Sequence, residues 1–174
     1  MGLAGYGLDR EQLLANPTRK AMATVLAGEM DGVLWHELGE AMDGALASAM
    51  LARAVERHGA TELEHFVRGV KDLLADTGPQ GRIARIIQAK HMGMIGLYPV
   101  WLAGFLRLLF PEMDQAVEDL RCSGDWSVID RARQAGWERA KQAVMDLTPL
   151  MALSDVEEVR QKAHDQVITP LTQH

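Results

Sequence analysis

Two short stretches of the chain carry side chains able to hold a metal ion. WHELGE contains His36, Glu37 and Glu40, and TELEH contains Glu62 and His65. On a helix His36 and Glu40, four apart, share one face, as do Glu62 and His65, three apart. An imidazole nitrogen grouped with carboxylate oxygens is a donor set for a divalent transition metal. Di-iron bundles use the Glu-x-x-His spacing on two helices, with a glutamate from each of two others. Here that spacing occurs once, so His36, Glu40, Glu62 and His65 are the candidate ligands of a smaller site.

Their separation constrains how they could meet. Glu37 lies 22 residues before Gly59, about 33 Å along a continuous helix, whereas Glu62 follows that turn at once. A simple hairpin sets the two groups at opposite ends. They converge only across a subunit interface, or if the helix breaks at Gly39 or Gly44. The structural reading of the same residues is a helix-start charge for Glu62 and a solvated or core-edge position for the histidines.

A second candidate site lies in KHMGMIGLYPVWLAGFLRLLFP, Lys90 to Pro111, which has no charge from Met92 to Leu106. Its length approaches the roughly 20 residues of a membrane span. Pro99 in its middle deprives the Ile95 carbonyl of its helical donor, and Gly93, Gly96 and Gly104 weaken it further. We therefore expect a buried segment split at Pro99 into two short helices, not a membrane span. A break in a core helix can form a pocket, and Met94, Tyr98 and Trp101, with His91 at the edge, would wall one for a small apolar ligand. His91 is also a candidate haem ligand or proton donor. No particular cofactor follows from these residues.

Other chemistry is sparse. No Gly-rich phosphate loop and no nucleophile elbow is present. Cys122 with Ser123 and Gly124 reads as a turn, and His164 with Asp165 lacks a third member.

The elements that must position these residues read as helices throughout. Asn16, Pro17 and Thr18 form a helix start, and that helix should fade between Gly28 and Gly32. From Val33 to His58, Leu34, Leu38, Met42, Ala45, Leu46, Ala49, Ala52 and Val55 form one stripe, expected to face the core. His58 and Gly59 supply a cation and a stop at the helix end. Thr61 with Glu64 forms a capping box for a helix ending at Thr77, Gly78 and Pro79, and Ser154 with Glu157 forms another for a last helix ending before Pro170. Asp125 to Leu147 carries Ile129, Ala132, Gly136, Ala140, Val144 and Leu147 on one stripe. The fold class is all-α: residues 1–15 as an arm or short helix, and residues 16–174 as one bundle of six or seven helices around the Pro99-broken segment.

Composition narrows the functions. In 174 residues, 18 Lys plus Arg stand against 24 Asp plus Glu, a net charge of -6 that disfavours nucleic acid as a partner. A helix-turn-helix reading places NPTRKAMATVL and LWHELGEAM as its first two helices, with Arg10, Arg19 and Lys20 on phosphates. It then lacks a base-reading third helix, since GALASAMLARAV is small and apolar. One cysteine fits a reducing, cytoplasmic setting. Ten methionines in the chain suit either core filling or an adaptable surface. Alanine-rich faces at 44–54 and 136–143 favour close contacts within a homodimer or larger assembly. The expectation is a non-catalytic accessory or regulatory protein with an apolar ligand near Pro99. A metal- or haem-dependent enzyme is the alternative, and a DNA-binding regulator the second.

Overall fold

Residues 2–9, 11, 19–43 and 45–173 are described by the computed structural model, and all regular structure among them is helical. The elements are α1 (Gly2–Gly5), α2 (Arg19–Asp43), α3 (Ala45–His58), α4 (Glu62–Thr77), α5 (Arg82–Ala89), α6 (Met92–Trp101), α7 (Gly104–Leu109), α8 (Glu112–Ser123), α9 (Ser127–Leu150) and α10 (Val156–Ala163). A π-helical turn, His164–Ile168, then leads into α11 (Thr169–Thr172). The helix start at Asn16, Pro17 and Thr18, together with Arg10, lies outside the described residues.

Helix α4 is the hub, touching α2, α3, α7 and α9. Leu63, Phe66, Val67, Val70, Leu73 and Leu74 are all buried along it. Helix α9 meets it with the expected stripe, Ile129, Ala132, Gly136, Ala140, Val144 and Leu147. The uncharged segment is less central than its composition suggests. Met94, Ile95, Tyr98, Leu102 and Leu109 enter the core, but Val100, Trp101 and Leu108 are exposed.

Several boundaries differ from the expectations. Helix α6 runs through Pro99 and ends at Trp101, so the break falls at Leu102 and Ala103, before Gly104 at φ 53°. Proline removes a single donor from the turn before it, which a helix about to end tolerates. A further break falls at Lys90, in left-handed backbone at φ 48° with no glycine to announce it. The first relocates the break expected at Pro99, and the second adds a helix beyond those expected in this segment.

Helix α2 does not fade between Gly28 and Gly32 but continues to Asp43, so the segments read as two helices of a helix-turn-helix unit are one. The stripe expected to face the core also points outward. Leu34, Leu38, Met42 and Val55 are exposed, while Ala21, Gly32, Gly39, Ala47, Met50 and Ala54 are buried. Small residues hold the inner face because α2 and α4 approach backbone to backbone. A Cβ on Gly39 would stand 2.1 Å from the Ala75 carbonyl oxygen.

The caps shift as well. Thr61 makes no side-chain cap and donates to the His58 carbonyl, while Glu64 accepts from the Ala60 amide at 3.3 Å. At α10 the cap is Asp155, which accepts from the Glu157 and Glu158 amides. His58 is fully buried, and neither ring nitrogen has a hydrogen-bond partner among the described residues. Burial, with Arg160 and Arg57 nearby, lowers its pKa, so it closes α3 as a neutral ring and not as a cation. Pro170 lies inside α11 instead of ending the last helix. No described helix is long and apolar enough to cross a membrane.

Candidate functional site

The close approach at Gly39 brings one face of α2 against the C-terminal half of α4. His36 and Glu40, one turn apart on α2, thereby meet Lys71, Asp72 and Asp76 on α4. Asp72 and Asp76 are four residues apart, so α4 presents both toward α2.

His36 is the centre of this group. Its Nδ1 lies 2.9 Å from Oδ1 of the buried Asp76, and because a carboxylate only accepts, Nδ1 is the donor. Asp76 is held from behind by the Tyr98 hydroxyl, which donates to Oδ2 at 2.7 Å. Fixing the proton on Nδ1 leaves Nε2 facing two further carboxylates. Glu40 Oε1 stands 3.4 Å from Nε2 and Asp72 Oδ1 4.0 Å. The other oxygen of Glu40 is paired with Lys71, which fixes the direction in which Oε1 points. One donor atom from each of His36, Glu40 and Asp72 lies within 4.8 Å of the others.

The electrostatics follow from these contacts. The hydrogen bond to Asp76 raises the pKa of His36 above its ordinary value, with further support from the charges of Asp76, Asp72 and Glu40. Burial raises that of Asp72, partly offset by His36 and Lys71. Burial and the neighbouring Asp76 hold the Tyr98 hydroxyl well above the usual phenol range, so it stays a donor.

A cavity of about 210 Å³ opens over this group, lined by His36, Asp72, Asp76 and Arg82 on its polar side and by Val33, Tyr98, Trp101, Leu102 and Leu106 on its apolar side. Arg82 lies over the Tyr98 ring at 5.4 Å and donates to Glu29 at 3.0 Å. Glu29 also accepts from the Trp101 indole at 3.0 Å and from the Tyr6 hydroxyl at 2.8 Å. The wall is therefore braced by a carboxylate shared among three elements. Beyond Asp72 and Leu106 lies a larger groove of about 620 Å³, lined also by His65, Arg68, Phe105 and Leu108.

The candidate residues separate accordingly. His36 and Glu40 meet each other, but not Glu62 or His65. Glu62 stands ten residues ahead of Asp72 on α4, about 15 Å along the axis, and pairs with His164 at 2.8 Å. His65 is exposed on the rim of the larger groove. Tyr98 and Trp101 do line the smaller cavity, with their polar tips spent on Asp76 and Glu29. Met94 is buried beneath it, near Gly32. His91 caps α6 by accepting from the Met94 amide at 3.2 Å, and its ring lies 5.0 Å from that of Tyr6. Sequence reasoning passed over Asp72, Asp76 and Glu29. The first two had a signal, a pair of carboxylates at four-residue spacing enclosing the apolar Leu73, Leu74 and Ala75.

Residues 1–170 match the model described as the C-terminal domain of a family of unknown function (DUF6866). The chain belongs to that family. No curated protein and no solved structure matches it.

Proposed function

We propose that this protein binds a divalent transition-metal ion through His36, Glu40 and Asp72, at the floor of a pocket open to a small ligand. The observation that carries the reading is the placement of the His36 ring. Its Nδ1 is committed to Asp76 and its Nε2 faces two carboxylates. Histidine ligands of metals commonly donate their second ring nitrogen to a carboxylate, which orients the ring and raises its basicity. Here Tyr98, Asp76 and His36 form such a relay from the core outward. One imidazole and two carboxylates suit zinc, manganese or ferrous iron better than a copper(I) thiolate-type site. Two positive groups, Lys71 and a protonated His36, balance part of the carboxylate charge in the metal-free protein. A metal ion takes over the role of the His36 proton.

Titration calorimetry on chelator-treated protein with zinc and manganese tests this. One site per chain is expected, lost in His36→Ala and Asp72→Asn and retained in Glu62→Gln and His65→Ala. No binding, or binding indifferent to His36, would overturn the reading.

A second reading is an accessory protein that holds an apolar ligand. Phe105, Leu106 and Leu108 along the larger groove support it. The two readings are compatible if the ligand reaches from that groove to the metal past Asp72. Displacement of a fluorescent fatty acid by candidate ligands, repeated in Gly104→Trp, tests the groove by itself.

A further inference from the structure

The outer face of α2 carries an apolar row that the other described residues leave exposed. Met22, Leu26, Met30, Leu34, Leu38 and Met42 recur every four residues, each between 41% and 62% exposed. Val33 lies beside the row and is 51% exposed. An apolar stripe on a helix ordinarily packs against a partner surface, and the side of α2 that meets α4 is a different one, where its small residues lie. At about 100 Å² of apolar surface per side chain, these residues offer on the order of 700 Å². That exceeds the largest apolar patch of most monomers and reaches the roughly 600 Å² per partner of the smallest specific interfaces.

We propose that this face is covered by the same face of a second copy of the chain, the two α2 helices crossing antiparallel near Gly32. The row itself identifies the occupant. A two-fold interface requires that if one residue contacts another, the reverse contact also holds. Reversed about its midpoint, the row pairs Met22 with Met42, Leu26 with Leu38, and Met30 with Leu34, so each side chain of the row has an apolar counterpart, while Val33 at its edge does not. The exposed carboxylates respect the same symmetry: Asp31 falls opposite Val33 and Glu37 opposite Ala27, so neither faces its own copy.

A row spaced by four winds about its helix, and two such ridges interlock at a crossing of about −50°. The tight contact then runs from Leu26 to Leu38, and the flexible methionines at the ends follow the diverging helices. The patch is continuous with the metal pocket, because Val33 and the exposed Trp101 both line that cavity. The second copy therefore reaches the pocket rim.

Light scattering behind size exclusion on the full chain is the test, at about 50 µM. A dimer is expected, and Met30→Glu with Leu34→Glu should convert it to a monomer with unchanged far-ultraviolet circular dichroism. Both positions are exposed, so the fold does not depend on them. In a Cys122→Ser background, Met30→Cys with Leu34→Cys should form a disulfide-linked dimer under mild oxidation, whereas Met22→Cys alone should not. A monomeric wild type, meaning that another protein or domain covers the face, would overturn the proposal. So would a dimer indifferent to the double glutamate variant, or efficient cross-linking through Met22→Cys, which signals a parallel pair. The proposal does not depend on metal, so it can fail while the cation site stands.

Discussion

The imidazole of His36 and the carboxylate of Asp76 form a hydrogen bond of 2.9 Å between helices α2 and α4, and the Tyr98 hydroxyl donates to the other oxygen of Asp76. The bond holds the ring with Nε2 turned toward Glu40 and Asp72. Asp76→Asn weakens the orienting bond without removing volume. It should lower metal affinity about 10- to 100-fold, the usual cost of losing such a partner. It should also let the pKa of His36 fall, since this bond is the largest cause of its elevation. Proton NMR titration of the metal-free variant reads the pKa, and calorimetry reads the affinity.

The same bond sets a pH dependence. His36 binds its proton more tightly in the folded protein than at the ordinary value of 6.5. In the metal-free protein its contribution to stability is full below 6.5 and fades as pH rises through the elevated folded pKa. Metal binding runs the opposite way, because the ion must displace that proton. Affinity should rise with pH, by about tenfold per unit for one proton, until His36 is neutral and then level off. A flat affinity profile from pH 6 to 9 would contradict this.

Tyr98→Phe removes the hydroxyl that braces Asp76 and preserves the ring between Arg82 and Phe110. Asp76 Oδ2 is then left with no donor in a buried site. A loss of about 1–3 kcal/mol in unfolding free energy is expected, seen as a lower urea midpoint with an unchanged slope.

Much of the fold was legible in the sequence, and the reasons are local. Thr77, Gly78 and Pro79 stop α4, Gly124 stops α8, and the α9 stripe from Ile129 to Leu147 faces the core as its spacing requires. The inner face of α2 was not legible by the same reasoning. Large apolar residues at Leu34, Leu38 and Met42 outweighed Gly32 and Gly39 in a hydrophobic count, yet close helix contact selects the small ones. Half the candidate site was visible in WHELGE. Its other half depended on which part of α4 meets α2, and only tertiary packing decides that. Lys90 escaped notice because a left-handed lysine carries no compositional mark.

Gly39 is where that packing is most exposed to test. An added methyl group at this position meets the Ala75 carbonyl oxygen at 2.1 Å, so backbone and not a side chain must yield. Gly39→Ala should cost about 1–3 kcal/mol through overpacking despite the better helix propensity of alanine. Because it pushes α2 from α4, it should also weaken metal binding. An alanine variant as stable as the wild type would show that the two helices are less tightly apposed.

His58 gives an opposite expectation. A buried ring whose two nitrogens have no hydrogen-bond partner among the described residues costs the protein stability, and His58→Leu should recover about 1–3 kcal/mol at neutral pH. Since its folded pKa is lowered from 6.5, the unfolded chain takes up the proton first as pH falls. The wild type should therefore lose stability below pH 6.5 down through the folded pKa, and the variant should lose less over that interval. Thermal melts from pH 7.5 to 4.5 compare the two. Parallel curves would remove His58 as the cause.

The most direct measurement is a crystal structure of the protein grown with manganese or zinc, with data collected on both sides of the metal absorption edge. An anomalous peak is expected about 2.0–2.2 Å from His36 Nε2 and from oxygens of Glu40 and Asp72, with the bond from Nδ1 to Asp76 intact. Metal at another site, or none at saturating concentration with His36 Nε2 still directed at Glu40, would contradict it.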